Sequence, residues 1–472
     1  MNEPIRHEEF DLDEVLLRLS PEDIWTIRDA CEGTQIFGAT GSGKTSGSGR
    51  TIALAFLRNM FGGLVLTSKR EEAELWEDYC RRTGRLDSLI KVSLTSGHRF
   101  DFLRYECNRP GENAGTPDTV VPLLQAIVQA ADRDPHGNGR PLGGDVFWEN
   151  ALRQLLLHTV TLAIFIAGPE LSLDLISQIV VEAPRSRRAA RSERWREIIE
   201  HAKRRVRTDV DRRNLAKVIN YFGSEFPQLG EKLRSSITSM FTTTMVQVSH
   251  GHFGEMFASG RVNIVPELTH HGAIILLDIP VNEHGPAARY AQTIFKYAWQ
   301  QATARRHGGN ELRPVFLWSD EAQDLVTPND VVFQAKARSA RAATVYLTQS
   351  VPSYTRTLGE PSTNALLGNF QTKIFHANGD GQTNTWAEKL FGHEITRRKG
   401  ASDTMHKYGL EPHAHTESTS EAREPRIDAG EFTMLRKGGE GIVEGIVFQA
   451  GRVWKASGKN YLKVRFSQGG SR

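Results

Sequence analysis

The chain has 472 residues, enough for about two to four domains at roughly 100–200 residues each. Its 59 Lys and Arg residues stand against 56 Asp and Glu, a net charge of +3, with 24% charged and 39% hydrophobic residues; this excludes a disordered, collagen-like or uniformly basic nucleic-acid-coating chain. Three scattered cysteines, Cys31, Cys80 and Cys107, exclude a disulfide framework or a zinc ribbon and fit a reducing cytoplasm.

The first thirty residues are acidic and lack the apolar core of a secretory signal. Short apolar runs bounded by Gly, Pro or charge then predict buried parallel strands at Thr34–Phe37, Gly63–Thr67, Ala273–Ile279, Val315–Trp318, Thr344–Leu347 and Thr372–Phe375. Helical stretches at Ser48–Asn59, Ala287–Arg306 and Gln382–Phe391 alternate with them, so the fold class is α/β with helices on both faces of a sheet.

The stretch from about Asp118 to Phe257 reads as almost wholly helical: Val121–Ala131, Phe147–Ile166, Leu171–Val181, Glu193–Val206, Asp211–Phe222 and Gly230–Met245. It is expected to be an all-α domain inserted between the second and third strands, with Asp132–Gly144 as a Gly- and Pro-rich joining loop. In Phe147–Ala167 the longest uncharged span, Gln154 to Pro169, is 16 residues, short of the about 20 a spanning helix needs. It reads as a core helix, and no membrane insertion is expected. Near the C-terminus, Arg397–Asp428 is so poor in large apolar residues that a mobile loop is expected. Gly441–Phe448 and Tyr461–Phe466 read as strands, the second with Leu462, Val464 and Phe466 alternating with Lys463 and Arg465. The expected domains are therefore 1–117, the first part of the sheet domain; 118–257, the helical insertion; and 258–472, the rest of the sheet domain with a flexible loop at 396–430.

Gly38-Ala-Thr40-Gly41-Ser42-Gly43-Lys44-Thr45 matches the phosphate loop G-x-x-x-x-G-K-[ST], after a strand and before a helix that includes Ser46. Its glycines let backbone N–H groups converge on phosphate oxygens, and the helix N-terminus adds positive potential. Lys44 is suited to the β- and γ-phosphates of ATP and Thr45 to Mg²⁺. Val315-Phe-Leu-Trp-Ser-Asp320-Glu321 is an apolar strand ending in two carboxylates. Asp320 is the candidate Mg²⁺ partner and Glu321 the candidate general base, although such a pair can also merely cap a helix. Gln349 ends the next strand, where an amide could sense the γ-phosphate. Arg338 and Arg341 precede that strand, as surface charges or as arginines offered to a neighbour's nucleotide.

These motifs resemble the TraG/TraD-type conjugative coupling proteins of type IV secretion, within the FtsK/HerA-like motor ATPases. Phe100-Asp-Phe-Leu103, Thr67-Ser-Lys69-Arg-Glu-Glu72 and Ala365–Gly392 are similar to further family segments, and the resemblance spans roughly Thr34–Phe466. It implies a RecA/FtsK-like P-loop NTPase sheet with an inserted all-α domain, and a ring, usually a hexamer, that pumps single- or double-stranded DNA using ATP and Mg²⁺. It also implies that an arginine reaches the nucleotide in trans. Gln349 lies eleven positions after Arg338, similar to the family spacing, so Arg338 is the expected finger and Arg341 the reserve. Ser68 and Thr67 depart from the family's Pro and Asp. A second departure is that no pair of membrane helices precedes the phosphate loop, so a variant without a membrane anchor is expected, cytoplasmic or peripheral at the inner membrane through a partner.

Pro184–Asn214 carries 12 basic residues against 5 acidic ones, a cluster able to meet phosphate backbone or simply to form a solvated face. Trp148 and Trp195 read as core. The pairs His250/His252, His270/His271 and His413/His415 lack companion ligands at a recognised spacing, so no structural metal is expected. The expected function is an ATP-hydrolysing, ring-forming DNA translocase. The alternatives are a soluble adaptor ATPase recruiting relaxase or effector proteins, and a nucleotide-assembled scaffold of a mobile-element or phage-defence complex.

Overall fold

The structure is a computed structural model and describes residues 9–131, 146–405, 412–439 and 441–469. Its centre is a nine-stranded sheet of β3 (Thr34–Phe37), β4 (Gly62–Leu66), β5 (Leu89–Val92), β6 (Ile274–Leu277), β7 (Val315–Ser319), β8 (Ala342–Thr348), β9 (Thr372–Phe375), β12 (Ile442–Gln449) and β13 (Tyr461–Ser467), in the order β13-β12-β9-β3-β8-β7-β4-β6-β5. The seven strands from β9 to β5 run parallel; β12 and β13 are antiparallel additions on the β9 side. The remaining strands form two small hairpins, β1 (Val15–Arg18) with β2 (Ile24–Thr26), and β10 (His393–Met405) with β11 (Pro412–Pro425).

Every residue of β3, β4, β6, β7, β8 and β9 is buried, as strands covered on both faces require. Alternate side chains enter opposite cores. Ile36, Val65, Phe316, Trp318 and Val345 join one apolar cluster, and Phe37, Leu64, Leu66, Leu317 and Tyr346 the other. Helices Arg50–Arg58 and Arg70–Arg82 contribute to the first cluster. The second continues through helix Val281–Ala304 into the helical insertion. Within Val281–Ala304, Gly285 has φ of +60°, so the regular helix begins after Pro286.

The insertion runs from helix Phe102–Asn108 to helix Gly251–Phe257. It leaves the sheet after β5, a strand not expected from sequence, so it lies between the third and fourth strands of the sheet rather than the second and third. Leu89–Val92 was hard to read because only Val92 is fully buried and Lys91 is exposed. Helix Val146–Ala167 packs Leu152, Leu155, Leu156, Val160, Leu162 and Ala163 into the insertion's core. Among the described residues, Phe147–Glu170 is also the one segment long and apolar enough to cross a membrane by length and composition, with a mean hydropathy of 1.5. Trp195 is buried and meets Phe222 edge-on, whereas Trp148 is only partly buried and donates to Ser236 Oγ at 3.3 Å. The expected loop Asp132–Gly144 lies outside the described residues.

The stretch 396–430, expected to be a flexible loop, is instead dominated by the antiparallel β10–β11 ladder. Poverty in apolar residues argues against burial, but a two-stranded ladder satisfies its own backbone groups while its side chains stay in water. Charge pairs add to it: the directly opposed Arg397 and Glu421 meet at 3.1 Å, and Arg398, which stands opposite Ser420, reaches along the ladder to Glu424.

Candidate nucleotide site

Five adjacent parallel strands, β9-β3-β8-β7-β4, deliver polar residues at their C-terminal ends, the usual place for a ligand in an open α/β sheet. The phosphate loop leaves β3 and is anchored by Gly38 N–H donating to Thr348 O (3.3 Å) and Ala39 N–H donating to Ala377 O (3.0 Å). Gly41 and Gly43 take φ of +73° and +87°, and at Gly43 a Cβ would come within 2.4 Å of Val443, so no side chain fits there. Thr40 and Gly41 are exposed at the tip, while Ser42 is buried. The helix that follows opens with a π turn, Thr45–Gly49, before the α-helix Arg50–Arg58.

The structure brings Lys44, Thr45, Asp320, Glu321 and Gln349 together. Thr45 Oγ1 donates to Asp320 Oδ2 at 2.5 Å, and Glu321 N–H donates to Asp320 Oδ1 at 2.9 Å. Glu321 is left-handed, φ 47° and ψ 48°, a costly conformation for a non-glycine residue that aims its carboxylate back at the loop. Lys44 Nζ lies 3.6 Å from Glu321 Oε1 and Gln349 Nε2 donates to the same carboxylate at 3.3 Å. Burial pushes the Glu321 carboxyl up, but Lys44 and Lys69 outweigh it and hold it down at about 2.

Sequence reasoning missed three of these neighbours as site residues. Lys69 Nζ donates to Glu321 Oε1 at 2.9 Å from the end of β4. Gln323 Nε2 donates to Glu321 Oε2 at 2.9 Å, and its Oε1 accepts from Thr348 Oγ1 at 2.6 Å. Glu72 accepts from Ser68 N–H at 2.9 Å, bracing the Lys69 turn; burial and the nearby Asp320 push its carboxyl up to about 8. Lys69 and Glu72 stand in the segment Thr67–Glu72, and the available signal was their position just after β4, the strand that follows the phosphate-loop strand in the chain and is separated from it in the sheet by β8 and β7.

His376 was also missed. Its ring is fully buried, with Nδ1 2.8 Å from Glu444 O and Nε2 2.7 Å from Ser48 Oγ. A carbonyl can only accept, so Nδ1 carries the proton and Nε2 accepts from Ser48, tying β12 to the phosphate-loop helix. Burial pushes the ring down from 6.5 to about 4. The folded chain therefore holds it neutral, and its contribution to stability, present above pH 6.5, is lost as pH falls through 4. In urea denaturation, the wild type should lose stability more steeply than His376→Gln between pH 6.5 and 4; equal slopes would refute this origin of the acid sensitivity.

The two arginines separate. Arg341, the expected reserve, is buried with φ of 51°, and its guanidinium donates to Phe10 O (2.6 Å) and Asn310 Oδ1 (2.8 Å), which commits it to bracing the N-terminal segment. Arg338 has a side chain 60% exposed, with an ion pair to Glu32 at 3.1 Å. It precedes β8, whereas Gln349 follows it, and seven strand residues span roughly 23 Å. The twelve basic residues of Pro184–Asn214 are all exposed. Among the described residues no group of three His, Cys, Asp or Glu side chains is placed to hold a metal ion.

A phosphate loop on a parallel sheet, facing a strand that ends in two carboxylates, defines the P-loop NTPase fold. Within it, the family model for the type IV secretion-system coupling protein DNA-binding domain matches residues 144–439, well over half of the chain, and the chain belongs to this family. Solved structures of similar fold include the unbound monoclinic form of the bacterial conjugative coupling protein TrwBdeltaN70, at 15% identity over 95% of this chain and 87% of that one, with a TM-score of 0.62. Plasmid coupling protein TrwB with the non-hydrolysable ATP analogue ADPNP matches at 15% identity, 98% and 91% coverage and a TM-score of 0.61. TrwB with ADP and Mg²⁺ matches at 14% identity, 95% and 87% coverage and a TM-score of 0.61. No curated protein matches the chain.

Proposed function

We propose that the chain is an ATP-hydrolysing, ring-forming DNA translocase of the coupling-protein family. The observation that carries this reading is the convergence of Lys44, Thr45, Asp320, Glu321 and Gln349 at adjoining strand ends. Similar coupling proteins have been solved with ADPNP and with ADP and Mg²⁺, which supports the same ligands here. The Thr45 hydroxyl and Asp320 carboxylate are hard oxygen donors in contact with each other, a set that fits Mg²⁺. The ion would supply charge neutralisation between the β- and γ-phosphates.

Backbone N–H groups of Gly41–Ser46 cradle the phosphates and Lys44 turns from Glu321 toward the γ-phosphate. Loss of that cation from its carboxylate relieves part of the depression of Glu321, so the carboxylate becomes a better base for the attacking water. Gln349, beside it, orients the water. Arg338 stands too far from its own site to serve it and is offered to a neighbour, which is the support for a ring. The exposed basic cluster at Pro184–Asn214 and the DNA-binding description of the matched family support DNA as the substrate.

ATP turnover by the full chain, with and without single- and double-stranded DNA, tests the proposal. DNA should accelerate turnover several-fold, and Lys44→Ala should abolish it. Turnover indifferent to DNA but raised by a relaxase-type partner would favour an adaptor, and tight ATP binding with no turnover a scaffold.

A further inference from the structure

We propose that a face of helix Arg70–Arg82 forms the nucleoside subsite of the ATP site, with Asp78 receiving the ribose hydroxyls; this rests on the phosphate-loop reading above. Lys44, Thr45, Asp320 and Glu321 mark where the γ-phosphate lies, so the nucleoside must extend the other way, past Ser46. On that side a cavity of about 420 Å³ continues from the phosphate loop, within the size range of small-molecule sites. Gln468 closes one wall: its Nε2 donates to Ser46 Oγ at 2.7 Å and its Oε1 accepts from Gly439 N–H at 2.9 Å, fastening the end of β13 to the loop.

The opposite wall is Leu75, Asp78, Tyr79 and Arg82, spaced i, i+3, i+4 and i+7 and so on one side of the helix. Each suits a nucleoside. Leu75 offers apolar surface, and Arg82 a planar guanidinium that can stack on a base. Asp78 is oriented by Arg82, whose Nε lies 2.6 Å from Oδ2, and its carboxylate can accept from vicinal hydroxyls. The second observation is the Tyr79 hydroxyl. The residue is 2% exposed and lines the cavity, yet its oxygen has no hydrogen-bond partner among the described residues. A buried hydroxyl left unpaired is costly, and a nucleoside in the cavity would satisfy it.

Binding of ATP, 2′-deoxyATP and inorganic tripolyphosphate to the full chain tests this. Wild type should bind ATP about tenfold more tightly than 2′-deoxyATP, the size of one hydrogen bond to a charged acceptor. Asp78→Asn should erase most of that preference, and Tyr79→Phe should weaken ATP. Neither should change tripolyphosphate affinity, which separates the subsite from the phosphate loop and from misfolding. ATP binding at wild-type strength in both variants, or no tighter than tripolyphosphate in wild type, overturns the subsite alone. Undiminished binding of both ligands by Lys44→Ala overturns the phosphate-loop reading, and the subsite with it.

Discussion

Glu321→Gln is expected to keep ATP binding while lowering turnover by about 10²–10⁴-fold, the range that general-base catalysis contributes. The amide has the shape of the carboxylate but cannot take a proton from water. It also removes the negative charge that holds Lys44 at 3.6 Å and Lys69 at 2.9 Å, so both cations become more available to phosphate and ATP affinity should be equal or higher. Single-turnover hydrolysis beside equilibrium nucleotide binding resolves the two effects. Turnover within a few-fold of wild type would show that Asp-Glu at the end of β7 is a capping pair. Loss of ATP binding would instead make Glu321 a structural partner of the two lysines.

Arg338→Ala should lower turnover by about 10³–10⁵-fold if the arginine acts across a subunit boundary. Its exposed side chain and its place before β8 make a purely structural loss small, because what it gives up within the chain is one surface ion pair to Glu32, worth about 0–1 kcal/mol. Mixing Arg338→Ala with Lys44→Ala distinguishes the neighbour from the self. In a mixed ring, the intact phosphate loop of one variant can face the intact arginine of the other, so activity should partly return. Mixtures as inactive as their components would contradict trans action, as would an Arg338→Ala variant of undiminished turnover.

Much of the architecture is legible in the sequence because buried parallel strands are continuous apolar runs: β3, β7 and β9 coincide with the expected runs to within a residue. The phosphate loop and the Asp320-Glu321 pair are likewise local patterns. The edge strand β5 and the two hairpins escaped because their signals lie in pairing rather than burial. In β5 only Val92 is buried and Lys91 is exposed, and β10–β11 is polar throughout its described side chains apart from Ile395, Ala422 and Pro425. Lys69 and His376 escaped for a related reason. Lys69 and His376 stand 252 and 328 residues from the partners they meet, and no local spacing reports such contacts. Arg341 was set behind Arg338 only by the family-like spacing to Gln349, and its burial and left-handed backbone now separate the two physically.

The central claim, that ATP hydrolysis moves this protein along DNA, is tested most directly by a displacement assay. Full-length chain is given ATP with a streptavidin-capped single strand or a triplex-bearing duplex. ATP-dependent release of streptavidin or of the third strand is expected, with no release by Lys44→Ala, by Glu321→Gln or with a non-hydrolysable analogue. DNA-stimulated turnover without release from either substrate would contradict translocation.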